Sequence, residues 1–224
     1  MAYAVRRPVA QRSQVPLRSL LGKPGKFFDV RTKKVYDISQ AYEGEKYDTV
    51  LVAAGAQPPG TQYLWFQNLQ NKTRIDTNFR TQNRLDPNER LVLERIGLYL
   101  HTAVGAVVNI LNDIRLVLDN SFVRLTINDD ILWEGLATWL PSGYGLYGAT
   151  SENLQSIVSI GVPGTAAAAR LRRKQMITTE HSLGGELDFL ARAAWIGGYA
   201  NPAPTTFMAL KLILHGPISR PATR

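Results

Sequence analysis

The residue pattern most suggestive of chemistry is a glycine motif. Residues 143–148 read GYGLYG and match the dinucleotide-binding fingerprint G-x-G-x-x-G. Such glycines bring a pyrophosphate to the amino end of a helix inside a βαβ unit, with an acid about twenty residues further on. Here the chain reaches Pro163-Gly164 too soon for that helix, and the acid's place falls in the alanine run 166–169. We interpret the motif as a glycine-rich loop between strands.

The titratable side chains form no catalytic or metal-binding pattern. His101, His181 and His215 lie far apart, without a second ligand-type residue at helical or strand spacing, and the chain has no Cys. Four aspartates considered for acid–base catalysis fall in predicted turns, where Asp is common for its backbone hydrogen bonds: Asp113, Asp119, Asp129 and Asp130. We predict no enzymatic activity, no metal and no cofactor.

The net charge is concentrated at the amino terminus. Nine basic side chains in residues 1–34 face one acid, Asp29, which gives +8, and the rest of the chain carries 17 basic and 17 acidic residues. Such an arm is suited to a polyanion, a membrane surface or a neighbouring subunit. The nine are Arg6, Arg7, Arg12, Arg18, Lys23, Lys26, Arg31, Lys33 and Lys34. A second candidate basic patch consists of Arg170, Arg172, Arg173 and Lys174.

The arm is also similar in composition to a mitochondrial transit peptide, which is rich in Arg and Ser and poor in acids. Transit peptides are amphipathic helices, however, and Pro8, Pro16 and Pro24 would interrupt such a helix. We therefore favour a flexible arm that pairs with another surface.

The bulk composition indicates one folded body. With 224 residues and 45% hydrophobic content, the chain can bury a core in a domain of about 180 residues. No apolar run approaches the roughly 18–20 residues that a membrane-spanning helix requires. The absence of Cys excludes disulfides and thiolate chemistry.

The elements that must position these residues are mostly short strands separated by Gly, Pro, Asn and Asp turns. A hairpin or extended clamp is predicted over 27–47, and further strands over 47–54, 62–69, 91–104, 109–118, 122–127, 131–139, 186–196 and 207–214. For 91–104 a helix is the competing prediction. The polar stretch 67–89 is predicted to be a surface loop or contact segment.

One helix is predicted, over 166–174. Thr165 would cap it, four alanines favour it, and cations crowd its last turns, where they suit the helix dipole. The whole pattern predicts an all-β antiparallel sandwich with one short helix. The predicted divisions are a basic extended arm at 1–34, a β-sandwich domain at 35–216 and an extended tail at 217–224.

Three stretches of the chain carry a resemblance to a known family. They read FQNLQNKTRIDTN at 66–78, NRLDP at 83–87 and VLERIGLY at 92–99, and LPSGYG at 140–145 and LILHG at 212–216 agree with them. They resemble the jelly-roll major capsid proteins of tailless icosahedral bacteriophages, many of which enclose an internal membrane. The resemblance implies a jelly-roll sandwich, single rather than double at this length, and no catalytic residues.

The resemblance further implies a virion protein that assembles with its own copies and with other capsid proteins. The loop 67–89 and the carboxyl-terminal tail would make the intersubunit contacts, and the arm would contact neighbouring subunits, internal membrane lipid or genomic nucleic acid. No small-molecule substrate is implied. The candidate intersubunit residues are Asp76, Asn78, Asn83 and Arg84.

Two other classes of function compete with a shell protein. The first is a nucleic-acid-binding protein of ribosomal or packaging type that acts through the arm, although the neutral body does not mix aromatic with basic residues as such proteins do. The second is an enzymatic or carbohydrate-binding sandwich, which would need a cluster of polar residues that the sequence does not show. Measuring particle size separates the shell from both.

Overall fold

The computed structural model describes residues 26–29, 34–37, 41–87, 89–102, 110–141, 169–190, 202–205 and 207–219. The chain divides into two compact units, residues 1–40 and 41–224. In the first unit, strands β1 (Lys26–Asp29) and β2 (Lys34–Asp37) form an antiparallel hairpin in which Phe27 lies opposite Tyr36. This confirms the hairpin predicted for this part of the chain.

The described part of the second unit contains eight strands and one α-helix. In chain order they are β3 (Tyr42–Val52), β4 (Gln62–Trp65), β5 (Arg90–Thr102), α1 (Ile110–Asn120), β6 (Ser121–Ile127), β7 (Asp130–Leu136), β8 (Ala169–Thr178), β9 (Leu183–Phe189) and β10 (Met208–Ser219). A short 3₁₀ turn, Ala137–Trp139, follows β7. The long strand predicted over 91–104 is confirmed as β5, and its helical alternative is wrong.

The strands form two four-stranded antiparallel sheets, which pack as a sandwich. The order in the first sheet is β3-β10-β5-β8, and in the second it is β4-β9-β6-β7. The predicted all-β antiparallel sandwich is therefore confirmed. Four strands lie at sheet edges, namely β3 and β8 in the first sheet and β4 and β7 in the second.

The core lies between the two sheets and follows the two-residue period of the strands. Every second residue of β6 and of β9 is buried, which places one face of each strand in the core. Trp65 and Phe189 are almost completely buried, and the Trp65 indole N–H donates a 2.9 Å hydrogen bond to the Leu210 carbonyl in the other sheet. Each large apolar side chain buried in this way contributes about 1.5–3 kcal/mol.

The last strand, β10, contains a bulge, and one residue of this bulge is a glycine for steric reasons. The pairing with β5 shifts between His215 and Ile218, and at Gly216 an added Cβ would lie 2.0 Å from the Val92 carbonyl oxygen. A larger residue at this position would push the two central strands apart. Because β10 continues to Ser219, the first three residues of the predicted tail belong to this strand.

The helix predicted over 166–174 is wrong, because residues from Ala169 onward form strand β8. Leu171 packs against the core while Arg170 and Arg172 are exposed, and pairing with β5 completes the first sheet. The gain from this tertiary pairing overrides the local helix propensity of Ala and Arg. Residues 166–168 lie outside the described part of the chain.

The observed helix, α1, occupies a segment predicted to be a strand. Ile114, Val117 and Leu118 are buried at a spacing of three and four residues, which is the helical period. Asp113, predicted at a turn, is a buried helical residue whose Oδ2 accepts hydrogen bonds from the Thr205 backbone N–H at 2.9 Å and hydroxyl at 2.7 Å. The helix is thereby fixed to the segment that leads into β10.

Candidate functional surfaces

Most cations of the predicted arm lie outside the described residues. This applies to Arg6, Arg7, Arg12, Arg18, Lys23, Arg31 and Lys33. Lys26 and Lys34 begin strands β1 and β2, and the register places them opposite Asp37 and Asp29.

The second predicted basic patch lies on an edge strand and not on a helix. Arg170, Arg172 and Lys174 of β8 are exposed, and the Lys174 ammonium forms an ion pair with Glu94. The side chain of Arg173 lies outside the described part of the structure. Arg95 of β5 is directly opposite Arg170 in the register. Arg95 is therefore a further cation of this patch, and it was not among the predicted residues.

The polar loop predicted as a contact segment covers the free edge of β3. We call residues 66–89 the strap. The Asn78 side chain accepts a 2.8 Å hydrogen bond from the Tyr47 N–H and donates one of 2.7 Å to the Glu45 carbonyl. The Asn78 backbone N–H also donates to the Tyr47 carbonyl at 3.2 Å. Asn78 thus satisfies backbone groups that a neighbouring strand would otherwise pair with.

Asp76 holds a turn within the strap. Its Oδ2 accepts hydrogen bonds from the Thr73 backbone N–H at 2.9 Å and from the Thr73 hydroxyl at 2.8 Å. The hydrogen bond from the Thr73 backbone lowers the pKa of Asp76 most, and the one from the Thr73 hydroxyl comes next. The positive charges of Lys211 and Lys72 lower it by a smaller amount. The Asp76 carbonyl accepts a 2.6 Å hydrogen bond from the Thr49 hydroxyl, so this turn also contacts β3.

The other two candidate intersubunit residues differ from each other. Asn83 adopts a left-handed backbone with φ of 56°, donates its N–H to the Phe66 carbonyl and accepts the Leu183 N–H at its own carbonyl. It therefore joins the strap to β9. Arg84 forms a bridge with Thr81 and is the one residue of the four whose side chain is exposed. All four candidates thus make contacts within the chain, and Arg84 in addition exposes its side chain.

A buried ion-pair cluster, which was not predicted from the sequence, joins the strap to β3. The Lys46 ammonium is 2.5 Å from Glu89 and 3.5 Å from Asp86, and the Lys46 side chain is 1% exposed. The ammonium also donates to the Asn78 carbonyl at 3.3 Å and lies 5.4 Å from the centroid of the Phe79 ring. Because a buried charge is costly without partners, these contacts hold the strap on β3.

A second buried carboxylate fixes the beginning of the strap. Asp48 is fully buried, and its Oδ2 accepts a 2.7 Å hydrogen bond from the Phe66 N–H. The Lys72 ammonium lies 2.8 Å from Asp48 Oδ1. Phe66 has a φ of 68°, which is uncommon for a bulky residue. Asp48 stabilises this strained turn, where the chain leaves β4.

The sequence contained a signal for both buried charges. Lys46 and Asp48 alternate with exposed or half-exposed residues in β3, and they share the inward parity of Val50 and Val52. Charged residues at positions that the two-residue period assigns to a core require partners. Nothing in the sequence identified those partners, because they lie in the strap at least eighteen residues away.

The edge strand β7 exposes large apolar side chains. Ile131 is 56% exposed and Leu136 is 41% exposed, and Trp139 just beyond the strand is 64% exposed. A Cβ added at Gly135 would lie 3.1 Å from the Trp133 ring and 3.3 Å from the Trp139 ring. Both indoles therefore lie close to this glycine. Among the described strands, β7 pairs with β6 alone. We call β7 and Trp139 the apolar edge.

The described residues among the candidates for chemistry do not assemble into one site. His181 Nδ1 is 2.9 Å from the Thr178 N–H in a local turn, whereas His215 is buried on β10 beside Glu43 at 3.5 Å. The side chain of His101 and the motif at 143–148 lie outside the described residues. Within the described residues, no three His, Cys, Asp or Glu side chains are grouped so that they could hold a metal ion.

Comparisons with protein-family models, with curated proteins and with solved structures find no match to this chain. Among the described residues, no helix is long and apolar enough to cross a membrane.

Proposed function

We propose that the chain is a structural viral coat protein whose copies assemble into an icosahedral capsid shell. The observation that carries this proposal is the order of strand pairing. In the sandwich, the first strand pairs with the last, the second with the seventh, the third with the sixth and the fourth with the fifth. This is the pattern of one long hairpin rolled into two sheets, and it supports a single jelly roll, an architecture that viral capsid domains use.

The apolar edge supports self-assembly through a defined surface. An edge strand presents unpaired backbone groups, and proteins protect such edges with covering loops, charges or short strands. In this molecule β3 carries the strap, β8 carries cations and β4 has four residues. The apolar edge also carries exposed charges, at Asp130 and Glu134, but beside them it presents Ile131, Leu136 and Trp139 to solvent. We assign it to contact with a second copy, because large exposed apolar side chains mark interfaces.

The basic arm supports the same proposal from its charge. Cations at 1–34 are suited to bind a neighbouring subunit, anionic lipid or the genome inside a virion. The same charge is also what favours the second candidate function, a ribosomal or packaging protein that binds nucleic acid through the arm.

The direct test is electron microscopy and light scattering of the purified full chain over a range of concentrations and salt. A coat protein is expected to form rings or closed particles of uniform size. A protein that stays monomeric under all these conditions, yet binds oligonucleotides in a salt-dependent manner through the arm, would overturn the shell and support the alternative.

The interface can be tested with the double variant Ile131→Lys and Trp139→Ser. Both side chains are mostly exposed, so folding should be retained while particle formation is lost or shifts to at least tenfold higher protein concentration. Ile75→Lys is the matched control, because Ile75 is 77% exposed but lies in the strap. If the control variant alone blocked assembly, the strap would be the contact surface and the apolar edge would not.

A further inference from the structure

The basic patch on β8 sits on a bulge in the strand pairing. Leu93 lies opposite Gln175, and the next paired position is Arg95 opposite Arg170. Residues 171–174 of β8 therefore face the single residue Glu94 of β5. Bulges re-aim side chains and are common at sheet edges and functional sites, so an irregularity of this size needs a reason.

The charges around this bulge are not balanced. Arg170, Arg172 and Lys174 are exposed, and Glu94 is the acid that pairs with Lys174. Arg95 and Arg170 occupy directly opposite positions, where like charges destabilise a sheet. Within the described residues, no acidic side chain forms an ion pair with Arg170 or Arg172. Counted over the described residues alone, the patch thus keeps an excess of positive charge.

We propose that this cationic bulge, formed by Arg95, Arg170, Arg172 and Lys174, is a binding site for the phosphate backbone of nucleic acid. Three of its four cations are Arg, whose planar guanidinium can bind phosphate oxygens with two parallel hydrogen bonds. A bound phosphate between Arg95 and Arg170 would turn a repulsive pair into an attractive one. The inference goes beyond shell formation, because it concerns the body of each unassembled chain.

Membrane lipid is a poorer fit to the same charges. Surfaces that bind membranes combine cations with apolar side chains that enter the lipid. Here the nearest apolar residues of β8 face inward, with Leu171 packed against the core and Met176 buried. The bulge therefore offers charge without an apolar anchor.

A competing explanation is that the cations only keep an edge strand from pairing with another chain. The two explanations differ in their dependence on the sign of the charge. Glu prevents edge pairing as well as Arg does, but it repels phosphate. The variant R170E/R172E should therefore stay as monodisperse as the parent chain while its affinity for nucleic acid falls.

The quantitative test is fluorescence anisotropy of a labelled oligothymidylate with the full, unassembled chain over a range of salt. In R170Q/R172Q the slope of log K against log salt should fall by about 1.4, since each lost phosphate contact contributes about 0.7 on a single strand. The matched control is R74Q/R84Q, which removes the same charge from two exposed residues of the strap. Circular dichroism confirms that each variant is folded.

Slopes that fall equally in both double variants would overturn the proposal, as would unchanged binding in R170E/R172E. Loss of binding to vesicles containing phosphatidylserine, with oligothymidylate binding intact, would overturn it in favour of lipid. The assay uses unassembled chains, so its failure is distinguishable from a failure to form particles.

Discussion

The edge strands on the two sides of the sandwich differ in whether their free edges are covered. On one side, the strap covers β3, and the charges of Lys46, Asp48 and Glu89 are buried in ion pairs and hydrogen bonds inside the chain. On the other side, β7 exposes apolar side chains and β8 exposes cations. Charge on the first side is used to hold the fold together. On the second side, charge and apolar surface remain available to partners.

The difference bears on which polar residues deserve to be called functional. Asn78 and Asp76 attract attention in the sequence, yet their side chains bond to groups of the same chain. Arg170 and Arg172 are unremarkable as a solvated helix face, and become noteworthy once β8 is an edge strand opposite Arg95. Among the described residues, groups that lack a partner within the chain are therefore a better guide to a binding surface than polarity alone.

The largest expected effect lies on the covered side and concerns Lys46. Lys46→Met removes the cation but leaves Glu89 and Asp86 in place, so these buried carboxylates lose the cation between them. Breaking a buried pair in this way costs about 3–5 kcal/mol. Urea unfolding of the parent and the variant should show this loss in the free energy of unfolding.

Lys174→Met is the matched control for that comparison. It also breaks a Lys–Glu ion pair, but the Lys174 side chain is 60% exposed where that of Lys46 is 1% exposed. An exposed pair contributes about 0–1 kcal/mol. If the two variants lost similar stability, the strap would not be held by the burial of its charges.

The fold was predictable where the sequence carries a clean two-residue period. Residues 123–127 alternate apolar and polar, and they lie in β6, where every second side chain is buried. The segment 166–174 failed because its Ala and Arg composition is typical of a helix, whereas β8 is determined by pairing with β5, which lies more than seventy residues earlier. Local propensity does not contain that information.

The candidate surfaces were predictable only in part, for the same reason. The sequence identified Arg170, Arg172 and Lys174 as a patch but could not add Arg95, because the register that brings it opposite Arg170 is a tertiary contact. It identified the loop 67–89 as polar but could not show that Asn78 bonds to Tyr47, thirty-one residues away. The sequence therefore shows which residue types each surface contains, but it does not show which of these residues pair in the fold.

A smaller effect is expected at the covered edge itself, from Asn78→Ala. The change leaves the Tyr47 N–H and the Glu45 carbonyl without their side-chain partner, at a cost of about 1–2 kcal/mol. It also uncovers part of β3, so the variant should aggregate at concentrations at which the parent chain does not. Unfolding curves and light scattering measure the two effects.

Asn68→Ala provides the comparison for this prediction. The Asn68 side chain accepts a local hydrogen bond from the Gln70 N–H at an exposed site and does not touch β3. The variant should lose less stability and should not aggregate. Equal aggregation of the two variants would show that the strap does not protect the edge.

The smallest expected effect is a pH dependence that arises in the strap. Hydrogen bonds from Thr73 lower the pKa of Asp76 in the folded chain. A carboxylate with a lowered folded pKa stabilises the fold above its unfolded pKa, and this contribution is lost as the pH falls through the folded value. Because Asp76 lies near the surface, where water screens charges, the contribution at neutral pH should be under about 1 kcal/mol.

Asp76→Asn tests this directly, because Asn keeps the shape of the side chain and cannot ionise. The stability difference between the parent and the variant should be largest near neutral pH and should shrink once the pH falls below the unfolded pKa of Asp. Urea unfolding at several pH values from neutral to strongly acidic measures it. A difference that stays constant across this range would mean that the ionisation of Asp76 does not contribute to stability. In that case the charges that hold the strap on β3 are those of Lys46 and Asp48 and of their partners within the strap.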